Sequence, residues 1–182
     1  SALGAPTITD IEVGNLTGTA ANNSVTLTGA QLNAILQGTG TIDLGGGTSD
    51  TINLTSTSTD LNVLNNASMT GVEAISASGA GASVTIDLSN QTENFTLTGG
   101  GSADNLDGGT GDDIINGGNG GDTIYGGTGN NTINGGAGND TIYADDDTSG
   151  STSLNSLSTE ILQDNPVLYY KMNTTSGTTE VN

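Results

Sequence analysis

Residues 99–143 divide into five consecutive nonapeptides, GGGSADNLD, GGTGDDIIN, GGNGGDTIY, GGTGNNTIN and GGAGNDTIY. Each fits the pattern G-G-x-G-x-D-x-U-x, with U a large aliphatic residue. No other feature of the chain restricts its fold so tightly. Ordinary glycine-rich hairpins are the plain alternative, and they leave a strict nine-residue register unexplained. The glycines let the first six residues turn tightly, with positive φ and carbonyls open to a cation. The last three residues form a short strand whose middle side chain points inward. Those inward residues are Leu106, Ile115, Ile124, Ile133 and Ile142. One nonapeptide makes half a coil, so residues two repeats apart stack on the same sheet. Tyr125 is then expected over Tyr143, and Asn116 over Asn134, on opposite outer faces. The expected fold is all-β: a right-handed parallel β-roll, or β-solenoid.

The sixth position is held by Asp104, Asp113, Asp122, Asn131 and Asp140. Stacking aligns Asp104, Asp122 and Asp140 on one edge, and Asp113 with Asn131 on the other. A hard divalent cation takes about six to eight oxygen ligands, carboxylate and carbonyl alike. The run Asp145, Asp146 and Asp147 arrives at the next loop of the second edge. It either closes a last site or solvates the end of the stack. Charge points the same way: 20 Asp plus Glu face a single basic residue, Lys171, for a net charge of −19. Bound cations offset the self-repulsion of a compact fold this acidic. A merely solubilising surface is the alternative. Nucleic acid and anionic membrane surfaces are poor partners, because nothing neutralises phosphate. The chain has no Cys, which excludes disulfides and thiolate metal sites. It has no apolar run long enough to cross a bilayer, so direct membrane insertion is not expected.

The repeats closely resemble the β-roll of the RTX family of secreted bacterial proteins. That resemblance implies Ca2+ held between successive loops on each edge, with the sixth-position side chains as ligands. It also implies backbone carbonyls as ligand partners, from the first glycine and the third residue of each loop. In this chain those are Gly99, Gly101, Gly108, Thr110, Gly117, Asn119, Gly126, Thr128, Gly135 and Ala137. Two departures from the pattern imply weaker sites: Ser102 restricts the first turn, and Asn131 brings no charge. The resemblance further implies type I export, unfolded in a calcium-poor cytosol and folded outside. That family's secretion signal lies at the extreme C-terminus, and this chain is expected to lack it.

Upstream, residues 1–98 read as the same solenoid with wider, irregular coils and fewer cation sites. GGGTSDTIN at 45–53 is an isolated sixth nonapeptide, with Asp50 as its candidate ligand. Strand-like runs follow at LNV (61–63), VEAIS (72–76), VTIDLS (84–89) and FTLT (95–98); a separate β-sandwich is the alternative. Thr28 and Gln31 form a capping-box pattern, with Leu32, Ile35 and Leu36 on one face and Gly38 as the stop. This predicts a short helix near 30–37 that caps the N-terminal end. The β-roll proper spans 99–147, and residues 148–160 read as a Ser/Thr-rich linker. Residues 161–182 are either a docking strand or the start of a further domain. From 164 on they resemble the opening of laminin-G-like, concanavalin-type jelly rolls, which would make carbohydrate a possible partner.

The chain has no His and no Cys, so His- or Cys-based triads and His-bearing zinc sites are excluded. Paired acids such as Asp112 and Asp113 lie in cation-type loops with no aromatic sugar platform around them. The glycine loops lack the Lys and following helix of a phosphate-binding loop. The expected function is therefore not enzymatic. It is an extracellular calcium-binding structural module of a larger bacterial surface protein: an adhesin, surface-layer or fibre component. Self-association or contact with other domains of the same parent is the expected partnership. The alternatives are a calcium-dependent folding domain of a secreted enzyme, and part of a carbohydrate-binding protein.

Overall fold

A computed structural model describes residues 10–12 and 14–144. A short hairpin opens it: β1 (Asp10–Glu12) pairs antiparallel with β2 (Asn15–Thr17). From β2 onward every strand pairing is parallel, so the chain is a solenoid and not a β-sandwich.

The first coil runs through β2, β3 (Ser24–Leu27) and α1 (Gly29–Leu36). The second runs through β4 (Thr41–Asp43), β5 (Thr51–Leu54) and two 3-10 turns, Leu61–Val63 and Asn66–Ser68. The third comprises β6 (Met69–Thr70), β7 (Ala74–Ser76) and β8 (Thr85–Asp87). Two-strand coils follow: β9 (Thr96–Thr98) with β10 (Asn105–Asp107), β11 (Ile114–Asn119) with β12 (Thr123–Tyr125), and β13 (Thr132–Ala137) with β14 (Thr141–Tyr143).

Three walls therefore become two. One sheet, β3-β5-β7-β9-β11-β13, runs the whole length. A second wall, β2-β4-β6, stops at the third coil, and its place is taken by loops. The third wall is the sheet β8-β10-β12-β14, preceded by the 3-10 turn at Leu61–Val63 and by α1, which packs on that turn. Coil length shrinks in step along the continuous sheet. It is 27 residues from Ser24 to Thr51, 23 from Thr51 to Ala74, 22 from Ala74 to Thr96, and 18 from Thr96 to Ile114.

The helix forms as its sequence requires. The Thr28 hydroxyl accepts the Gln31 N–H (3.1 Å), and the Gln31 side chain accepts the Thr28 N–H (2.9 Å), a reciprocal box. Gln37 ends it in the left-handed region, followed by Gly38 at φ +74°. Leu32, Ile35 and Leu36 are buried, closing the N-terminal end of the third wall. The LNV run is a correction to the strand expected there. The Ser58 hydroxyl accepts the Leu61 N–H (3.1 Å), and that local bond starts a 3-10 turn instead of a strand. Leu61 is still buried, while Val63 faces solvent.

The core thins along the axis. The coils before the repeats each bury several large side chains, such as Leu16, Leu32 and Leu36 in the first and Ile42, Leu44, Ile52 and Leu54 in the second. Within the repeats each strand contributes one aliphatic residue: Leu106, Ile115, Ile124 and Ile142 are buried, and Ile133 is partly buried in the last strand of its sheet. The inward register holds throughout, with Leu106 beside Ile124 and Ile115 beside Ile133. Tyr125 stacks on Tyr143, ring centroids 4.6 Å apart, and Asn116 pairs with Asn134 on the other sheet.

Candidate metal sites

Each loop is shaped before any cation arrives. Asp107, at the end of β10, and Asn134, within β13, accept the N–H two residues on, from Gly109 (3.0 Å) and Gly136 (3.1 Å). In the last four repeats the second and fourth loop residues have positive φ, as at Gly118 (+101°) and Gly120 (+123°). The loops stack by backbone bonds of their own. Gly100 O accepts the Asn119 N–H (2.9 Å), and Ala137 O accepts the Gly120 N–H (2.8 Å). On the other edge Gly109 O accepts from Thr128 (3.0 Å), and Thr128 O accepts from Gly111 (2.8 Å). The third-residue carbonyls of Thr128 and Ala137 thus carry one hydrogen bond and keep a second lone pair.

The sixth-position side chains form two columns, as their spacing predicts. One carboxylate oxygen of each accepts the backbone N–H of its counterpart one coil earlier. Asp122 Oδ1 takes the Asp104 N–H (2.8 Å), and Asp140 Oδ1 takes that of Asp122 (2.9 Å). Asp104 Oδ1 takes the Val84 N–H (2.7 Å), and on the opposite edge Asp113 Oδ1 takes that of Phe95 (2.7 Å). At these corners the strands end, and the carboxylates replace the lost ladder bonds.

The other oxygen faces a cradle. Oδ2 of Asp113 and Oδ2 of Asp122 are buried without a hydrogen-bond partner. Around Gly117, a Cβ would meet Asp122 Oδ2 and the Gly135 carbonyl oxygen, each at 2.4 Å. Around Gly108, Asp113 Oδ2 and the Gly126 oxygen converge at 2.6 and 2.9 Å. Oxygen acceptors from successive coils are therefore gathered together, and glycine is the residue that leaves them room.

Electrostatics make the gap costly. Burial, more than any neighbour, pushes the Asp113 carboxyl up to about 6; the Phe95 N–H pulls it down, and the charges of Asp107 and Asp112 raise it further. Burial likewise raises Asp122, opposed by the Asp104 N–H and reinforced by the charges of Asp140 and Asp104. The only basic side chain in the chain is Lys171, far along in sequence. The donors are all hard oxygens, which suits a cation such as Ca2+ and offers nothing to a soft metal. Among the described residues no three carboxylates form one cluster, so carbonyl oxygens would make up most of any shell.

The two departures have distinct structural consequences. In the first repeat neither the glycines nor Ser102 reach positive φ, and Gly100 donates its N–H to Asp104 Oδ2 (2.6 Å). That oxygen is already engaged, unlike those of Asp113 and Asp122. Asn131 spends its amide oxygen on the Asp113 N–H (2.9 Å), which orients the amide and turns Nδ2 toward Gly126. It presents a donor where the other repeats present an acceptor.

Asp50 is fully buried before β5, with Ile52 inward as expected. Asp145, Asp146 and Asp147 lie outside the described residues, as do the linker at 148–160 and the segment at 161–182. Pattern reading missed Glu73, whose carboxylate accepts the Asp50 N–H (2.7 Å). It also missed the exposed fifth-position ladder in which Asn94 accepts from Asp112 (2.8 Å) and Asp112 from Asn130 (2.7 Å). The signal for Glu73 was positional: like Asp50 and Asp113, it directly precedes a strand.

A family model described as the RTX calcium-binding nonapeptide repeat (4 copies) matches residues 96–124 and 116–148. No curated protein and no solved structure matches the chain. The matched segment coincides with the two-wall coils, the eighteen-residue register and the two columns of sixth-position side chains. Residues 96–148 are therefore a segment of RTX-type calcium-binding nonapeptide repeats, folded as a β-roll.

Proposed function

We propose that this chain is an exported structural module, a spacer or stalk within a larger bacterial surface protein, whose β-roll folds when it meets extracellular calcium. The observation that carries the reading is the set of buried, unpartnered carboxylate oxygens at Asp113 and Asp122. Without a cation each costs the fold the desolvation of a charge, and a core of one aliphatic residue per strand offers little to offset it. Ca2+ converts that cost into binding energy, so folding and calcium become one equilibrium.

The sixth-position carboxylates of Asp104, Asp113, Asp122 and Asp140 serve as ligands in this reading, with first-glycine and third-residue carbonyls completing the shells. Asn131 acts as a ladder acceptor. The role is non-enzymatic: the oxygens that a carboxylate catalyst would use are enclosed between stacked loops. Extracellular placement agrees with the absence, among the described residues, of any helix long and apolar enough to cross a membrane. Self-association and contacts with other domains of the parent protein belong, in this reading, to residues 161–182.

Far-ultraviolet circular dichroism in chelator, then with millimolar Ca2+, tests the reading. Calcium should add parallel-sheet signal with a sigmoidal dose dependence. A spectrum and thermal midpoint indifferent to calcium would rule it out.

A further inference from the structure

We propose a further divalent-cation site well upstream of the matched repeats, shared between Asp50 on the second coil and Glu73 on the third. It rests on the calcium reading above and extends it to a place where the nonapeptide pattern has no second copy.

The argument is one of matched geometry. In the repeats, the candidate site at Asp122 shows two marks. The carboxylate of one coil has a buried oxygen without a partner, and a carboxylate of the next coil accepts that residue's backbone N–H. Asp122 with Asp140 is the model case. Asp50 with Glu73 repeats both marks. Asp50 is 0% exposed, its Oδ1 accepts from the Asn23 backbone N–H and from Asn23 Nδ2, and its Oδ2 is buried with no partner. Glu73 accepts the Asp50 N–H at 2.7 Å, which brings the second carboxylate to the same corner.

The glycine belongs to the arrangement too. A Cβ on Gly47 would meet both Asp50 oxygens, at 2.4 and 2.6 Å, much as one on Gly117 would meet Asp122. A buried anionic oxygen with a second carboxylate beside it, and no basic side chain in the described residues, calls for a cation. The ligand class is a hard divalent ion, with carbonyls or water filling the rest of its shell. Glu73 lies outside any nonapeptide.

The test is calcium stoichiometry by equilibrium dialysis on the full chain, comparing wild type with Asp50→Asn and Glu73→Gln. Both substitutions keep the oxygen that accepts the ladder N–H, as Asn131 does naturally in the last coil. Each variant should bind one calcium fewer than wild type, with the remaining affinities unchanged within about twofold. Wild-type stoichiometry in both variants overturns the site while leaving the repeats' calcium reading intact. Loss in Asp50→Asn alone overturns the sharing with Glu73. No calcium on the wild type itself defeats the broader reading and this proposal together. Should Asp50→Asn fail to fold by circular dichroism, the half-buried Glu73→Gln variant decides the matter.

Discussion

The coils before residue 90 and those after residue 98 stack on one continuous sheet but are held together differently. Before residue 90, three walls enclose large side chains such as Leu16, Leu36, Ile42, Leu54 and Met69. After residue 98, two walls enclose one aliphatic residue per strand, and the corners hold carboxylates instead. A longer coil encloses a wider interior and can be held by hydrophobic burial alone. A coil of 18 residues leaves too little interior, so its loops must be drawn together by something at the edge. The difference teaches where the fold depends on calcium: at the thin end, on the perimeter.

Chelation should break that comparison most visibly. In excess chelator, amides of 99–143 should lose hydrogen-exchange protection while those of β3, β5 and β7 keep theirs. Equal loss in both regions would show the whole solenoid to be one cooperative unit. Uniform protection would show the two-wall coils to be self-sufficient.

Gly117→Ala comes next in size. Its Cβ would strike Asp122 Oδ2 and the Gly135 carbonyl oxygen, both at 2.4 Å. Calcium affinity should fall about tenfold or more, about 1.4 kcal/mol per decade. The matching change at an open upstream position, Gly79→Ala, should leave calcium titrations unaltered, since no atom lies within 4 Å of its added carbon.

The two edges can be compared through Asp122 and Asn131. Asp122→Ala removes a ladder acceptor and an unpartnered carboxylate oxygen, whereas Asn131→Ala removes a ladder acceptor, about 1 kcal/mol, and a long 3.4 Å bond from Nδ2 to the Gly127 carbonyl. Calcium titrations should show the larger loss for Asp122→Ala. Asn131→Asp, which restores an acceptor toward Gly126, should gain affinity. Equal losses, or no gain, would contradict the roles assigned to the two oxygens of each side chain.

The smallest effect concerns pH without calcium. A carboxyl whose folded pKa is raised, as Asp113 is to about 6, binds its proton more tightly folded than unfolded. Its contribution is therefore favourable at low pH and is lost as pH rises from about 4 to about 6. In chelator the two-wall coils should be more stable at pH 4.5 than at pH 7, by on the order of 1 kcal/mol after solvent screening. Denaturant midpoints at the two values check the sign.

Much of this molecule is legible in its residues. The nine-residue register of 99–143 dictates parallel stacking, inward aliphatics and two columns of sixth-position side chains, because a period of nine can close a coil only in pairs. The capping box at Thr28 and Gln31 dictates a helix start, because both hydrogen bonds are local. Other features depended on neighbours far along the chain. The 3-10 turn of the LNV run starts from a local bond to Ser58, but its place in the third wall, between α1 and β8, is set by the coils on either side. Glu73 joined Asp50 only because coil length shortens by a few residues at each step, which sets which residue lies over which. Which oxygen of each aspartate supports the ladder and which stays free was likewise decided by the preceding coil's N–H. Residue type and spacing determine what a loop can bind; the stacking of one coil on the next determines which atoms remain to bind it.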